Sequence, residues 1–451
     1  MTRDVPRPDA QVHLGVFFQG VNYWTIWSDP ASGSQISPES YRRVAQTAER
    51  GLFDAFFLGE GLRLREVAGR IHDLDVAGRP DAITQLAALA AVTRRIGLVS
   101  TTNTTFNEPA DLARRLAGLD LLSDGRAGWN VVTTDNAWTG ENFRRGGFLD
   151  HADRYVRAEQ FVRAAREIWD GWSAGAAATS TDAPAWARPG AISPVHLRSS
   201  QFTADITPVL PRSRQGHPVI FQAGDSSAGR DFAARNADVI FSAHGTEFDD
   251  ALAFANDIRA RLRAAGRPED DIRILPGTSI VIGATAAEAQ EKAAWARREQ
   301  ITPATALAQA SLLWNLDLSG YDPDGPLPKD DPKPQDDSGA FGAARVADAQ
   351  GIIRRWREES DANGWSLRET VIHLGQRARG HVGTPQALAD RFAHFVRHGA
   401  LDGFNVSPYL IPHGLDDIVN LLVPALQERG VYRTAYTGTT LREHLGLRPR
   451  P

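Results

Sequence analysis

A chain of 451 residues, 42 % hydrophobic and 23 % charged, has the make-up of an ordinary folded protein with material for a large core. Its net charge of −5, with arginines spread over helix patterns and not gathered in a stripe, argues against a nucleic-acid binder. The absence of cysteine excludes disulfides, thiolate metal sites, iron–sulfur clusters and a cysteine nucleophile.

Met1 to Gln11 is polar and proline-bearing, without the apolar centre of a signal peptide, and no later run reaches the ~18 apolar residues of a membrane helix. A cytoplasmic enzyme with no membrane partner is the expectation. Val12 to Phe18 reads as a first buried strand, and Ser37-Pro38-Glu39 starts a helix that glycine stops at Gly51. Asp54 to Gly59 is the second strand, followed by a charged loop and a helix from about Asp81 to Arg95. Ile96 to Thr101 is the third, and Glu108-Pro109 opens the next helix. The fourth strand lies in Gly125 to Thr134, where Asn130, Thr133 and Thr134 break an otherwise small and apolar run.

A helix begins at Asp150 or His151. Residues 173–216, rich in Ala, Ser, Thr and Pro, read as an insertion with possible edge strands. Pro218 to Gly224 is strand five, with a helix from about Ser226, and Asp238 to Ala243 is strand six. Strand seven lies within Ile272 to Ile282. A second insertion covers roughly 298–382, with loop composition from Tyr321 to Ser338. Thr384-Pro385 caps a helix, Asp402 to Ser407 is strand eight, and Asp416 to Arg429 closes the chain's helices.

Eight apolar strands alternating with helices predict an α/β fold, a (β/α)8 TIM barrel, with the two insertions explaining the excess length. Residues 1–451 are expected to form one such domain. A doubly wound open sheet is the alternative, but no Gly-rich dinucleotide turn follows strand one.

In a barrel, the carboxyl ends of the strands carry the site. They present Gln19 and Asn22, Glu60, Thr101 to Asn103, Asn130 and Thr133, Gln222 with Asp225-Ser226-Ser227, His244, and Asn405 with Ser407. Amides and hydroxyls dominate, which suits a ligand held by many neutral hydrogen bonds. Ser226 and Ser227 open a helix directly after strand five, an arrangement that binds phosphate or simply caps the helix. His151 and Tyr155 stand four apart at another helix start and share a face. Metal chemistry is disfavoured, since the twelve histidines include no strand pair or His-Glu-x-x-His helix; His394 and His398 fall on an outer helix. No Gly-x-Ser-x-Gly elbow is present. Many ligand-holding groups without reactive groups of their own point to a cofactor.

The segments AERGLFDAFFLGEGL (48–62), IGLVSTTNTTFNEPADLAR (96–114), SDGRAGWNVVTT (123–134), HADRYVRAEQF (151–161) and GHPVIFQAGDSSAGR (216–230) together resemble the bacterial luciferase-like flavin monooxygenases. Within them the similarity is to the group of nitrilotriacetate monooxygenase component A and the sulfone monooxygenases. The resemblance implies an FMN-dependent enzyme that receives reduced FMN from a separate NAD(P)H:flavin reductase by diffusion. It reacts the flavin with O2 and oxygenates a small organic substrate through a flavin peroxide. It also implies a homodimer or homotetramer. By matching motif, Ser226 and Ser227 hold the phosphate, and His151 and Tyr155 complete the polar tail site. Thr102 or Asn103, with Asn130, lines the flavin ring. Glu60 stands where that family usually has Asp. Asp225 stands where several members have Ser, and is expected to cap the helix and point away. A deazaflavin F420-dependent oxidoreductase and a non-catalytic flavin-binding protein are the rivals. The loop after strand one, with Trp24 and Trp27, and Trp138 after strand four, face either substrate or one another.

Overall fold

Strands covered on both faces need apolar side chains throughout, and the short runs Ala55–Leu58 and Val219–Gln222 are wholly buried. In the computed structural model, which describes residues 7–67, 70–134, 137–143, 151–176, 186–333, 348–375 and 380–450, these runs belong to one parallel sheet. His13–Phe17, Ala55–Leu58, Gly97–Asn103, Ala127–Val132, Val219–Gln222 and Val239–Ile240 lie side by side in sequence order. The seventh strand is broken at Leu275 and Pro276. Its first part, Arg273–Ile274, pairs with strand six, and its second, Gly277–Ile282, pairs with Gly403–Val406. That eighth strand pairs in turn with His13–Phe17, so the sheet closes into the expected (β/α)8 barrel. Pro276 cannot donate to the ladder, but its carbonyl accepts the Asn405 N–H at 2.9 Å and carries the pairing across the break.

Local signals set the helix starts. Ser37 accepts the Ser40 N–H ahead of Pro38, and Thr384 accepts that of Ala387 ahead of Pro385. The helix after strand two is shorter than its pattern suggests, Ala82–Ala90. Side chains on alternate strand positions sort into two cores. Leu14, Phe56, Leu98, Trp129, Ile220 and Phe404 pack outward against the helices. Phe57, Val99, Val219, Phe221 and Val239 fill the barrel, whose floor is sealed by Leu441, Leu445 and Leu447.

Gly128 lies where strands three to five crowd together: a Cβ there would stand 2.9 Å from the Phe221 ring and 3.0 Å from Val99. Gly125, at φ +86°, makes the turn into strand four.

Three additions decorate the barrel. The charged loop after strand two folds into an antiparallel hairpin, Arg65–Val67 with Arg70–His72, which the sequence pattern leaves as loop. The strands of the 173–216 insertion form a hairpin of their own, Val195–Arg198 with Thr203–Ile206, and do not join the barrel's edge. Within 298–382, helices Pro303–Trp314, Ala349–Asn363 and Leu367–Leu374 enclose a separate small core around Trp314 and Trp356. That excursion ends in a ninth parallel strand, Gly380–Gly383, laid along the end of strand seven. Among the described residues, no helix is long and apolar enough to cross a membrane.

Candidate active site at the barrel mouth

Strands three and four run furthest toward the mouth, and strict alternation decides what they offer there. Val99 faces the barrel, so Thr101 and Asn103 do too. Thr101 stands opposite Asn130, and the Asn130 amide donates to Thr101 Oγ1 at 3.0 Å. The Asn130 side chain is buried, and among the described residues its Oδ1 has no hydrogen-bond partner. A buried acceptor without a donor costs free energy unless a ligand or water supplies one. Thr102 shares the outward face of Leu98: its hydroxyl pairs with Ser100 Oγ at 2.9 Å, and its carbonyl accepts the Trp129 indole N–H at 2.9 Å. Of the sequence pair Thr102 and Asn103, it is therefore Asn103 that reaches the mouth. Strand parity turns the Thr102 side chain toward the helices, away from the place expected for it beside a bound ring.

Asn103 is fixed from two sides. Its Oδ1 accepts the Phe106 N–H at 2.7 Å, which turns its amide nitrogen toward both oxygens of Glu60, at 3.0 and 3.1 Å. Burial raises the Glu60 carboxyl to about 7, against the lowering effect of the Asn103 hydrogen bonds. The nearby cation, Arg79, is turned elsewhere: it donates to the Glu60 backbone carbonyl and to Asp75.

Beneath these polar groups lies an aromatic layer. Phe57 meets Phe17 edge-on with centroids 5.1 Å apart and Phe241 at 4.7 Å, while Phe221 packs on Phe241 at 5.5 Å. This floor keeps water from entering the site through the barrel. Sequence reading did not find it as a unit, although its members stand on the inward positions of strands one, two, five and six.

Across the mouth, helix Ser227–Asn236 begins five residues beyond the end of strand five. Ser226 is its cap, with Oγ accepting the Gly229 N–H at 3.1 Å. Gly229 admits close approach: a Cβ there would stand 3.0 Å from Gly224 Cα and 3.1 Å from the Tyr155 hydroxyl. Tyr155, from helix His151–Asp170, thus reaches the same helix start. Ser227 is exposed beside it, with Arg261 Nη1 at 3.3 Å from its Oγ. The side chain of His151 lies outside the described residues; its backbone starts the Tyr155 helix one turn earlier. Asp225 departs from expectation. Ser226 takes the capping role, and the Asp225 carboxylate turns toward Arg230, at 3.8 Å, and His244 Nε2, at 3.5 Å. Arg230 also pairs with Asp257 at 3.1 Å and lies over the Phe254 ring.

Other predicted mouth residues are committed locally. Asn22 spends its side chain on its own loop, accepting the Trp24 and Thr25 N–H groups at 2.9 Å. Trp27 packs on Phe18 at 5.9 Å, and Trp138 has its side chain outside the described residues. His394 and His398 lie on outer helix Pro385–Arg397 and its C-cap, against Phe248.

Comparison with known proteins shows the family. The family model for luciferase-like monooxygenases matches residues 18–402. The chain belongs to that family. Nitrilotriacetate monooxygenase component A of Aminobacter aminovorans is 38 % identical, with 98 % of each chain covered. The N-acetyl-S-(2-succino)cysteine monooxygenase of Bacillus subtilis is 37 % identical over 97 % of each. A crystal structure of riboflavin lyase with modified FMN and riboflavin superimposes with a TM-score of 0.78 at 31 % identity, covering 97 % of this chain and 96 % of the other. In this luciferase-like monooxygenase, Asn103 meets Glu60 next to the strand that carries Asn130, and Tyr155 reaches the helix start that Ser226 and Ser227 open. These residues come from strands two to five and the helices that follow strands four and five.

Proposed function

We propose that this monooxygenase binds reduced FMN across the barrel mouth and, with O2, oxygenates a small organic substrate. In this reading it is one component of a two-component system, and a separate NAD(P)H:flavin reductase supplies the reduced FMN. The observation that carries the reading is a juxtaposition on adjacent strands. Among the described residues Asn130 holds an unpartnered buried acceptor on strand four, and a helix start where Gly224 and Gly229 pack closely and the Tyr155 hydroxyl approaches follows strand five. The first suits an N–H-bearing ring and the second a phosphate. The name of the Aminobacter relative, a component A, and the FMN in the riboflavin lyase structure support the same reading.

The residues fit the cofactor. Ser226, Ser227 and the free N–H groups of the first helical turn would hold the phosphate, with the Tyr155 hydroxyl beside them. Asn103, Glu60 and Asn130 would meet the polar edge of the ring. When bound, reduced flavin supplies the electrons that activate O2 for transfer of one oxygen atom. The protein's share is to orient and to exclude water. Phe17, Phe57, Phe221 and Phe241 close the site from below. The 298–382 excursion is tied to the mouth's rim, through Gln300 on the Trp24 carbonyl and Arg70 on Asp317 and Ser319, where it can shield the site.

The test is anaerobic mixing of the protein with reduced FMN, followed by rapid addition of oxygen. Tight binding and a return of oxidised-flavin absorbance much slower than for free reduced FMN are expected. Immediate reoxidation, or binding of F420 in preference to FMN, would overturn the reading.

A further inference from the structure

Part-exposed Glu60 differs from the ion-paired buried acids, and also from buried Asp120, which among the described residues has no ion pair but accepts from Ser213, Gln215 and the Ala127 N–H. Asp54 is held by His13 at 3.0 Å and by Arg433, and Asp238 by Arg442 at 3.1 Å. Among the described residues the Glu60 carboxyl has hydrogen bonds from Asn103 alone, and no ion pair. A neutral amide solvates a carboxylate far less than a guanidinium does. The charged and titratable groups around it are otherwise engaged. Arg79 is bound to Asp75 and to the Glu60 backbone carbonyl, and Arg115 is bound to Asp81 at 2.9 Å. Beyond the Asn103 amide, what supports the charged form of Glu60 in the open mouth is therefore the solvent that still reaches this part-exposed residue.

We propose that Glu60 takes up a proton when a planar ligand covers the mouth, and then presents its O–H to an acceptor atom on the ligand's ring. The physical cause is desolvation. Covering the carboxyl removes its remaining water without bringing a cation, so the neutral form gains. The Asn103 amide stays put, because its oxygen is anchored on the Phe106 N–H, and continues to bond the carbonyl oxygen of the protonated acid. An acceptor-rich edge on the ligand favours the same state, and an anionic edge favours it further. This inference rests on the flavin reading for the identity of the ligand.

The experiment is anaerobic calorimetry with reduced FMN at pH 7, in two buffers of unlike ionisation heat, on wild type and Glu60→Gln. The group starts near half-protonated, since burial sets it at about 7. Wild type should therefore take up about half a proton more per site than the variant. Protons exchanged by the FMN phosphate, remote from residue 60, are common to both proteins and cancel in the difference, and the difference reads the proton shared between residue 60 and the ring edge it faces. Glu60→Gln keeps an amide in place of the protonated acid and should still bind. Equal proton uptake by the two proteins overturns the inference and leaves the flavin reading standing. If reduced FMN binds neither protein, the flavin reading falls, and the inference is decided by potentiometric titration of the ligand-free proteins. The wild-type-minus-variant curve should show one group near neutrality; a group in the ordinary carboxylate range near 4 overturns it.

Discussion

Two demands meet on one hydroxyl at Ser226. Its oxygen already accepts the Gly229 N–H as a helix cap, while the proposed phosphate needs the hydroxyl hydrogen. The two are compatible, because a serine hydroxyl accepts through its lone pairs and donates through its proton. The capping and phosphate readings of this sequence are therefore not exclusive. Replacing Ser226 and Ser227 together by Ala should cost about 1 kcal/mol of stability through the lost cap. It should also weaken reduced FMN by roughly 10- to 100-fold through lost charge-assisted hydrogen bonds. Riboflavin, which lacks the phosphate, should be nearly unaffected. Equal losses for the two flavins in a binding titration would remove the phosphate from this helix start.

At the scale of elements, what was legible followed periodicity. The barrel strands announce themselves as short apolar runs because both faces are covered, and even the broken seventh strand falls within the predicted Ile272 to Ile282. Besides the Arg65–His72 hairpin and the aromatic floor, two further things were not legible. Which of Thr102 and Asn103 faces inward depends on the parity of strand three, which only the packing of Val99 and Leu98 fixes. The ninth strand, Gly380-His381-Val382-Gly383, is too short and glycine-flanked to read as a strand, and forms because strand seven offers it an edge. Its burial has a consequence for pH. His381 sits among Phe392, Phe395 and Phe404. Burial, aided by the Arg391 charge and opposed by the nearby Gly245 backbone, pushes its imidazole down to about 4. An unfolded histidine near 6.5 binds the proton that the folded one refuses. Stability is thus fully present above neutrality and is lost as pH falls from 6.5 toward 4, by about 2–3 kcal/mol at pH 4.5. His381→Leu, similar in volume, should change stability at pH 7.5 by less than about 1.5 kcal/mol and flatten the acid limb by that amount. Urea unfolding at pH 7.5 and 4.5 checks this, and parallel limbs for the two proteins would refute it.

The whole molecule divides its tasks between the two ends of the barrel. The unpartnered Asn130 oxygen, the helix start after strand five and the 298–382 excursion lie toward the carboxyl ends of the strands, whereas the 173–216 insertion reaches the other end, where Gln215 donates to the Ala127 carbonyl at 2.8 Å. The opposite end is closed by the chain's own last helix and tail, with Leu441, Leu445 and Leu447 inside the ring and Arg442 paired to buried Asp238. The glycines of strands three and four make room for this plug. A Cβ on Gly97 would stand 2.4 Å from Leu441, and one on Gly128 would stand 3.2 Å from it. A plug fitted this closely leaves a cavity when trimmed, because neighbouring strands are held in register and collapse little. Leu441→Ala should therefore cost about 2–5 kcal/mol, read as a lower urea midpoint. The aromatic layer lies between the plug and the mouth, so affinity for reduced FMN, measured well below the unfolding transition, should stay within about twofold of wild type. A large loss of affinity in the still-folded variant would mean that the two ends are coupled through the barrel interior, and that Phe57 and Phe221 transmit the floor's position to the site.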